Sequence, residues 1–321
     1  MMKLIFKKLF YISWMLLLIS LISFLAIHAA PNSFFAAGEL NPNITKDSIE
    51  HLKAIYGLDK PLLEQYLHWL WAMLHFDFGV SFTSGKSVSD EILYRLPITL
   101  IMNILSIFFI FLISLKLGVR AALKHESFED RVIKQLTLVS FAMPTFYLSL
   151  LFILFLSLKL GWFPISGLES IEPKEGIEKW IDFVWHLALP IFVMVFSGIG
   201  GLTMYIRSLT LEILKSDYIF FAKARGVDEK SIKKRFIMPN LMPSIVTILG
   251  LSLPGLIGGS VVIESIFSIN GMGLLFYQSA LSRDYPVIMG ILIITAFLTL
   301  IGNILADLVL LKLNPYFKVR R

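Results

Sequence analysis

Six apolar runs, each about the 20 residues that a helix needs to cross a bilayer, dominate this 321-residue chain: approximately 9–30, 97–117, 136–158, 184–206, 241–265 and 285–311. In hydrocarbon every backbone polar group must be satisfied within the segment, so such runs have one economical solution, the helix. Charged residues make up only 16% of the sequence, where a soluble domain carries about 25%, and mean hydropathy is +0.77. The chain is therefore expected to be an all-α integral membrane protein with six transmembrane helices. The first run follows Lys3, Lys7 and Lys8. Its apolar core exceeds the 7–15 residues of a typical signal-peptide core, so an uncleaved signal anchor is expected.

Orientation follows from the placement of basic residues. The N-terminus, 116–134, 207–235 and the tail from Lys312 hold 20 of the 29 Lys and Arg residues. The alternate segments 31–96, 159–182 and 266–285 hold the other nine, with 14 of the 23 acids. Six spans with both termini in the cytoplasm satisfy this alternation. The expected divisions are a tail and first span (1–30), an extracytoplasmic segment (31–96), a five-helix core (97–311) containing a cytoplasmic loop (207–240), and a tail (312–321). Within 31–96, Asp47 and Glu50 resemble a capping box ahead of a helix that stops at Gly57. Leu62 to Leu74 then reads as an aromatic-rich amphipathic helix, either at the membrane interface or packed on the spans.

Several local patterns imitate chemistry. Gly85-Lys86-Ser87 suggests a phosphate loop, but the residue that should be glycine is Val80, and Gly79 is one position out of register. Gly198-Ile-Gly-Gly201 lies in an apolar run, where small residues let helices approach closely. The six histidines are scattered and no metal set is expected; the absence of cysteine removes thiol chemistry and disulfides. Glu264 and Asp307 lie at the edges of spans. Intramembrane carboxylates are usually paired or functional, and structural pairing is expected for both, over a gating or proton-carrying role. Glu264 is expected near water at the outer end of its span, and Asp307 beside Asn303, within reach of Lys312.

One polar island remains, from Asp217 to Pro239. Leu211 to Ala224 reads as a helix, Gly226 as its left-handed stop, and Lys223 and Arg225 sit favourably at its negative end. Asp228 should cap a second short helix over about 229–238, which Pro239 should end. An ordinary basic loop would explain the charge. It would not explain Tyr218, Phe220, Phe221, Ala222 and Ala224 among the charges.

The island resembles the Glu-Ala-Ala loop of ABC-importer permeases, with Ala222, Gly226 and Pro239 at the second Ala, the Gly and the Pro of that pattern and Phe220-Phe221 in place of Glu-Ala. Tyr56-Gly-Leu-Asp-Lys-Pro-Leu-Leu-Glu-Gln-Tyr66, Asp77-Phe-Gly-Val-Ser81, Arg95-Leu-Pro-Ile-Thr99, Leu160-Gly-Trp-Phe-Pro164, Glu264-Ser-Ile-Phe267, Gly271-Met-Gly273 and Arg283-Asp-Tyr-Pro-Val287 are similar to the first permease of dipeptide, oligopeptide and nickel importers. Pro31-Asn-Ser-Phe34, Asn270-Gly271 and Asn314-Pro-Tyr316 depart from that family's usual residues.

The resemblance implies a type I ABC importer permease of MetI-like fold, with a long extracytoplasmic segment after the first helix. It further implies a pore subunit in the cell (inner) membrane with no catalysis and no cofactor of its own. The partners implied are a second homologous permease, two ABC ATPases that use ATP-Mg, an extracytoplasmic solute-binding protein and the lipid membrane, with no nucleic acid. Ala222, Gly226 and Pro239 would transmit ATPase motion, with Asp217, Lys223 and Arg225 as rim contacts. Di- or oligopeptides are the expected cargo and chelated nickel the alternative. A stand-alone secondary transporter would instead call for a mid-membrane acid or inverted repeats, and an intramembrane enzyme for a catalytic set.

Overall fold

A computed structural model describes residues 2–29, 60–252 and 260–313, all helices and connections. The Asp47/Glu50 capping box, Pro31–Phe34 and Asn314–Tyr316 lie outside the described residues, as does the side chain of Asp307. In chain order the helices are α1 (Met2–Ala29), α2 (Leu62–Leu74), α3 (Val88–Leu123), α4 (Phe128–Ala142), α5 (Thr145–Lys159) and α6 (Gly176–Leu214). They continue as α7 (Asp217–Ala224), α8 (Glu229–Ser252), α9 (Val261–Ile266), α10 (Met272–Ser282) and α11 (Tyr285–Leu313).

Among the described residues four helices are long and apolar enough to cross a bilayer, namely α3, α6, α8 and α11 over Tyr285–Ile304. A fifth crossing arises if α4 and α5 count together. These two do not form the single straight helix expected over 136–158: they meet at 106°. Pro144 explains the break, because its ring disfavours helix at the preceding residue, and Met143 is extended (φ −87°, ψ 129°). Of the expected run 241–265 the structure describes a helix from Glu229 to Ser252 and a short helix from Val261, and residues 253–259 lie outside the described residues.

The chain forms two compact units, Met1–Thr99 with Asn270–Ile301, and Leu100–Ile269 with Gly302–Arg321. The core of the first gathers Phe78, Val88, Ile92, Met272, Leu275, Val287 and Ile291. Gly290 admits this packing, since a Cβ there would stand 2.8 Å from Val88 Cγ1. In the second unit α6 is the hub. A Cβ at Gly200 would meet the Thr137 carbonyl oxygen at 2.6 Å, and one at Gly118 the Thr203 carbonyl oxygen at 2.8 Å. Between apolar helices in lipid, close van der Waals contact of this kind is a main source of association. Hydroxyls reinforce it: Ser140 donates to the Phe196 carbonyl and Ser114 to that of Ile199. The small residues of Gly198–Gly201 thus do what their setting predicts.

Candidate functional site

The polar island begins where α6 ends. The helix expected over Leu211–Ala224 is in fact two, because the chain is extended at Ser216 (ψ 149°) before α7 starts. The other end of α7 closes as expected. Gly226 is left-handed (φ 74°); its N–H bonds the Lys223 carbonyl at 2.9 Å, and that of Val227 bonds the Ala222 carbonyl at 3.1 Å. This pair of reversed bonds satisfies carbonyls that a helix end otherwise leaves open. Val227 also packs into the apolar cluster of Val119, Ile206, Ile219, Ile232, Ile237 and Leu241.

Asp228 caps α8 by accepting from the Ser231 N–H at 3.1 Å. The hydrogen bonds from Ser231 hold its carboxyl below the usual carboxylate range. The short helix over 229–238 does not end at Pro239: α8 runs through Pro239 and Pro243. Lys233–Ile237 widens into π-helical turns. A wider turn relieves the clash between a proline ring and the carbonyl four residues earlier. Asn240 Nδ2 donates to the Phe236 carbonyl at 2.6 Å, supplying a side-chain bond in the same stretch.

The two faces of α7 differ. Ile219 and Ala222 are buried, so Ala222 serves packing within the chain and its small side chain is not on offer to a partner. Phe220 is 68% exposed and Phe221 60%, their rings 5.8 Å apart. Asp217, Lys223, Arg225 and Gly226 are exposed beside them, and Pro239 is exposed on α8. Tyr218 stacks on Phe236, tying α7 to the start of α8. Of the island residues named from sequence, Asp217, Ala222, Lys223, Arg225 and Gly226 thus belong to α7 and its cap, and Pro239 to α8. The most exposed apolar groups of α7 are the two phenylalanines that replace the family's Glu-Ala.

About three turns before the island, Arg207 belongs to an ion pair that sequence reading missed. Arg207 Nε and Nη2 reach the two Asp130 oxygens at 2.7 and 2.8 Å. Asp130 is fully buried at the start of α4 and also accepts from the Glu126 N–H. His125 and Lys134 stand 3.6 and 3.5 Å from it. Ser127 caps the same turn through the Asp130 N–H. Such a bidentate guanidinium–carboxylate pair fixes orientation as well as distance.

Glu264, expected to reach water, has no exposed surface. It accepts from Ser260 Oγ at 2.6 Å, and Ser260 Oγ in turn accepts from Asn103 Nδ2 at 3.1 Å. Asn103 lines a cavity of about 350 Å³ whose other polar groups are Ser106, Thr145, Ser197 and Ser252. Among the described residues no charged side chain lines it.

In the other unit, the loop that carries Gly85-Lys86-Ser87 holds a carboxylate, not at those three residues but at Ser81–Thr83 just before them. Asp284 accepts from Ser81 Oγ (2.6 Å) and from the Phe82 and Thr83 N–H groups (3.1 Å each). A carboxylate of the chain itself thus fills the backbone cradle. Nearby, Arg95 Nε bonds Asn270 Oδ1 at 2.8 Å, and Thr99 Oγ1 accepts from the Met272 N–H at 2.8 Å. Four of the motifs that carried the resemblance thus meet in this unit.

Comparison with known proteins follows the same lines. The family described as "Binding-protein-dependent transport system inner membrane component" matches residues 114–319. Its companion, "Binding-prot-dependent transport system membrane comp, N-term", matches residues 1–103. The chain is 38% identical over 301 residues to the oligopeptide transport system permease protein AppB of Bacillus subtilis (strain 168), covering 94% of each chain. It is 33% identical over 265 residues to the inner membrane ABC transporter permease protein YejB of Escherichia coli O157:H7, covering 81% of this chain and 73% of that protein. Among solved structures, an inward-facing MetNI methionine ABC transporter matches with a TM-score of 0.51 at 18% identity, over 67% of this chain and 93% of that one. That likeness shows the MetI-like type I permease fold.

Proposed function

The chain belongs to the family of binding-protein-dependent transport system inner membrane components, and on that premise we propose that it is a pore subunit of an ATP-driven peptide importer. It works with a second permease, two ATPases that hydrolyse ATP-Mg, and an external binding protein that delivers the peptide. The observation that carries this reading is α7, a short helix capped at Gly226 that displays Phe220 and Phe221 to solvent. Two exposed aromatic rings among Lys223 and Arg225 suit an apolar anchor with a charged rim, the composition of interface hot spots.

Force entering α7 passes to α8 through Val227 and the Tyr218–Phe236 stack, and to α6 through Ile219 and Ile206. Gly226 and the wide turns before Pro239 hold these elements in register. Closure of the ATPases then moves the spans between inward- and outward-facing states. In the core (97–311) the cavity bearing Asn103, Ser106 and Ser197 forms part of the passage. Its uncharged polar groups suit a peptide backbone, whose amides recur whatever the side chains. Glu264 acts structurally, holding Ser260 and through it Asn103. Basic loops and both termini face the cytoplasm in this reading.

The peptide assignment draws on the oligopeptide permease relative. The test is the assembled importer in proteoliposomes with its binding protein. Phe220→Asp with Phe221→Asp should release the ATPases and abolish peptide uptake, while the permease stays in the membrane. Undiminished uptake would overturn the docking role. The ligand that co-purifies with the cognate binding protein separates peptide from chelated nickel.

A further inference from the structure

The helix α2 carries three faces rather than the two of an ordinary surface helix. At about 100° per residue, Tyr66, Trp69, Leu70 and Met73 fall on one side. They pack inward, onto Phe24 and Met289 and onto the cluster around Phe78 and Ile92. Tyr66 Oη and Ser20 Oγ are 2.8 Å apart, and the Tyr66 and Phe24 rings 5.4 Å. A second side holds Glu64, His68 and His75, all exposed and polar. Between them runs a third stripe: Leu63, Leu67, Trp71 and Leu74, 54–69% exposed and without a polar residue. A helix in water would have no use for that stripe.

We propose that this stripe is buried in lipid, so that α2 lies along the membrane–water interface of the outer leaflet, braced against α1. The height of the contact supports lipid as the occupant. The 28 residues of α1 rise about 42 Å, close to the full thickness of a bilayer with its headgroups. The residues that hold α2, Ser20 and Phe24, lie about 8–14 Å below the end of α1 at Ala29. With about 6 Å of headgroup region at each end of such a bilayer, they lie just inside the headgroup–acyl boundary, the depth to which interfacial helices bury their apolar faces. At the same height α1 exposes Leu21, Ile22 and Leu25, a second apolar surface that burial in lipid would cover. Trp71 packs against His75 at the polar edge of the stripe, with ring centroids 4.7 Å apart and the rings tilted by 50°. An indole at an interface takes this amphipathic position. Among the described residues the stripe is bordered by an acid and two histidines, with no cluster of Lys or Arg, so attachment rests on apolar burial and does not require anionic lipid.

This inference rests on reading α1 as the first span, and the test separates the two. The chain has no cysteine, so a single introduced cysteine carries a nitroxide at a chosen site. The assembled importer, its other subunits freed of reactive thiols, is reconstituted in vesicles of phosphatidylcholine alone and of phosphatidylcholine with phosphatidylglycerol. Labels at Leu63→Cys, Leu67→Cys and Leu74→Cys should collide with oxygen several-fold more than with chromium oxalate. Glu64→Cys and His68→Cys should show the reverse, and both patterns should be the same in the two vesicles. If the stripe positions favour chromium oxalate, or are shielded from both reagents as under a protein partner, while Ile22→Cys is oxygen-rich, the lipid assignment is wrong and the span stands. Chromium oxalate at Ile22→Cys as well would remove the span and this inference with it.

Discussion

Gly226 sits at φ 74° with no atom within 4 Å of where a Cβ would be. Alanine there meets no obstacle yet must adopt a left-handed backbone, at about 1–2 kcal/mol. Gly226→Ala should therefore loosen the end of α7 and lower uptake without loss of permease from the membrane, which transport assays beside immunoblots would show. Sequence alone exposed this position, since a glycine after an amphipathic helix has few other uses. Arg207 and Asp130 escaped, being 77 residues apart, and nothing in either local pattern names the other. Arg207→Leu leaves Asp130 buried without its main partner, a loss of about 3–5 kcal/mol. The lower end is expected because Lys134 and His125 remain near. Adding Asp130→Leu should restore much of it, measurable as thermal stability of the purified complex. Asp228 makes a pH-dependent case. Its folded carboxyl is held below its unfolded value, so the cap is fully present above the ordinary aspartate range and is lost as pH falls through the lowered value. Protection of the Ser231 amide in hydrogen exchange should follow that course, and Asp228→Ala should remove the protection at neutral pH.

Elements obeyed composition better than punctuation. Apolar length placed most of the spans, because length in hydrocarbon admits few alternatives. Proline misled in both directions. Pro144 breaks a run that hydropathy shows as continuous, and Pro239 fails to break a helix whose preceding turns widen to accept it. Tertiary context, invisible in a single segment, decides such cases. Helix contact offers a sharper test. Gly200 and Gly201 are neighbours, but only Gly200 faces backbone. Its Cβ would lie 2.6 Å from the Thr137 carbonyl oxygen, whereas one at Gly201 would make ordinary contact with the Phe141 ring at 3.6 Å. Gly200→Ala should destabilise the α4–α6 pair by about 1–3 kcal/mol, and Gly201→Ala should be near neutral. Equal effects on detergent-solubilised melting would show that the close approach is not what joins these helices.

At the scale of the whole molecule, a passive pore predicts that the purified chain hydrolyses no ATP and that hydrolysis appears only with its ATPases; robust activity from the isolated subunit would refute it. The architecture also bears on how the protein is made. Asp284 organises the turn at Ser81–Thr83 from about 200 residues further along the chain, and the core of that unit joins Phe78, Val88 and Ile92 to Met272 and Val287. Contacts of such separation close late. The first helix and its following segment must therefore wait, inserted but unfinished, until most of the remaining chain has left the ribosome. A truncation before Asp284 should leave the Ser81 turn open to protease in nascent chains, and release past α11 should close it.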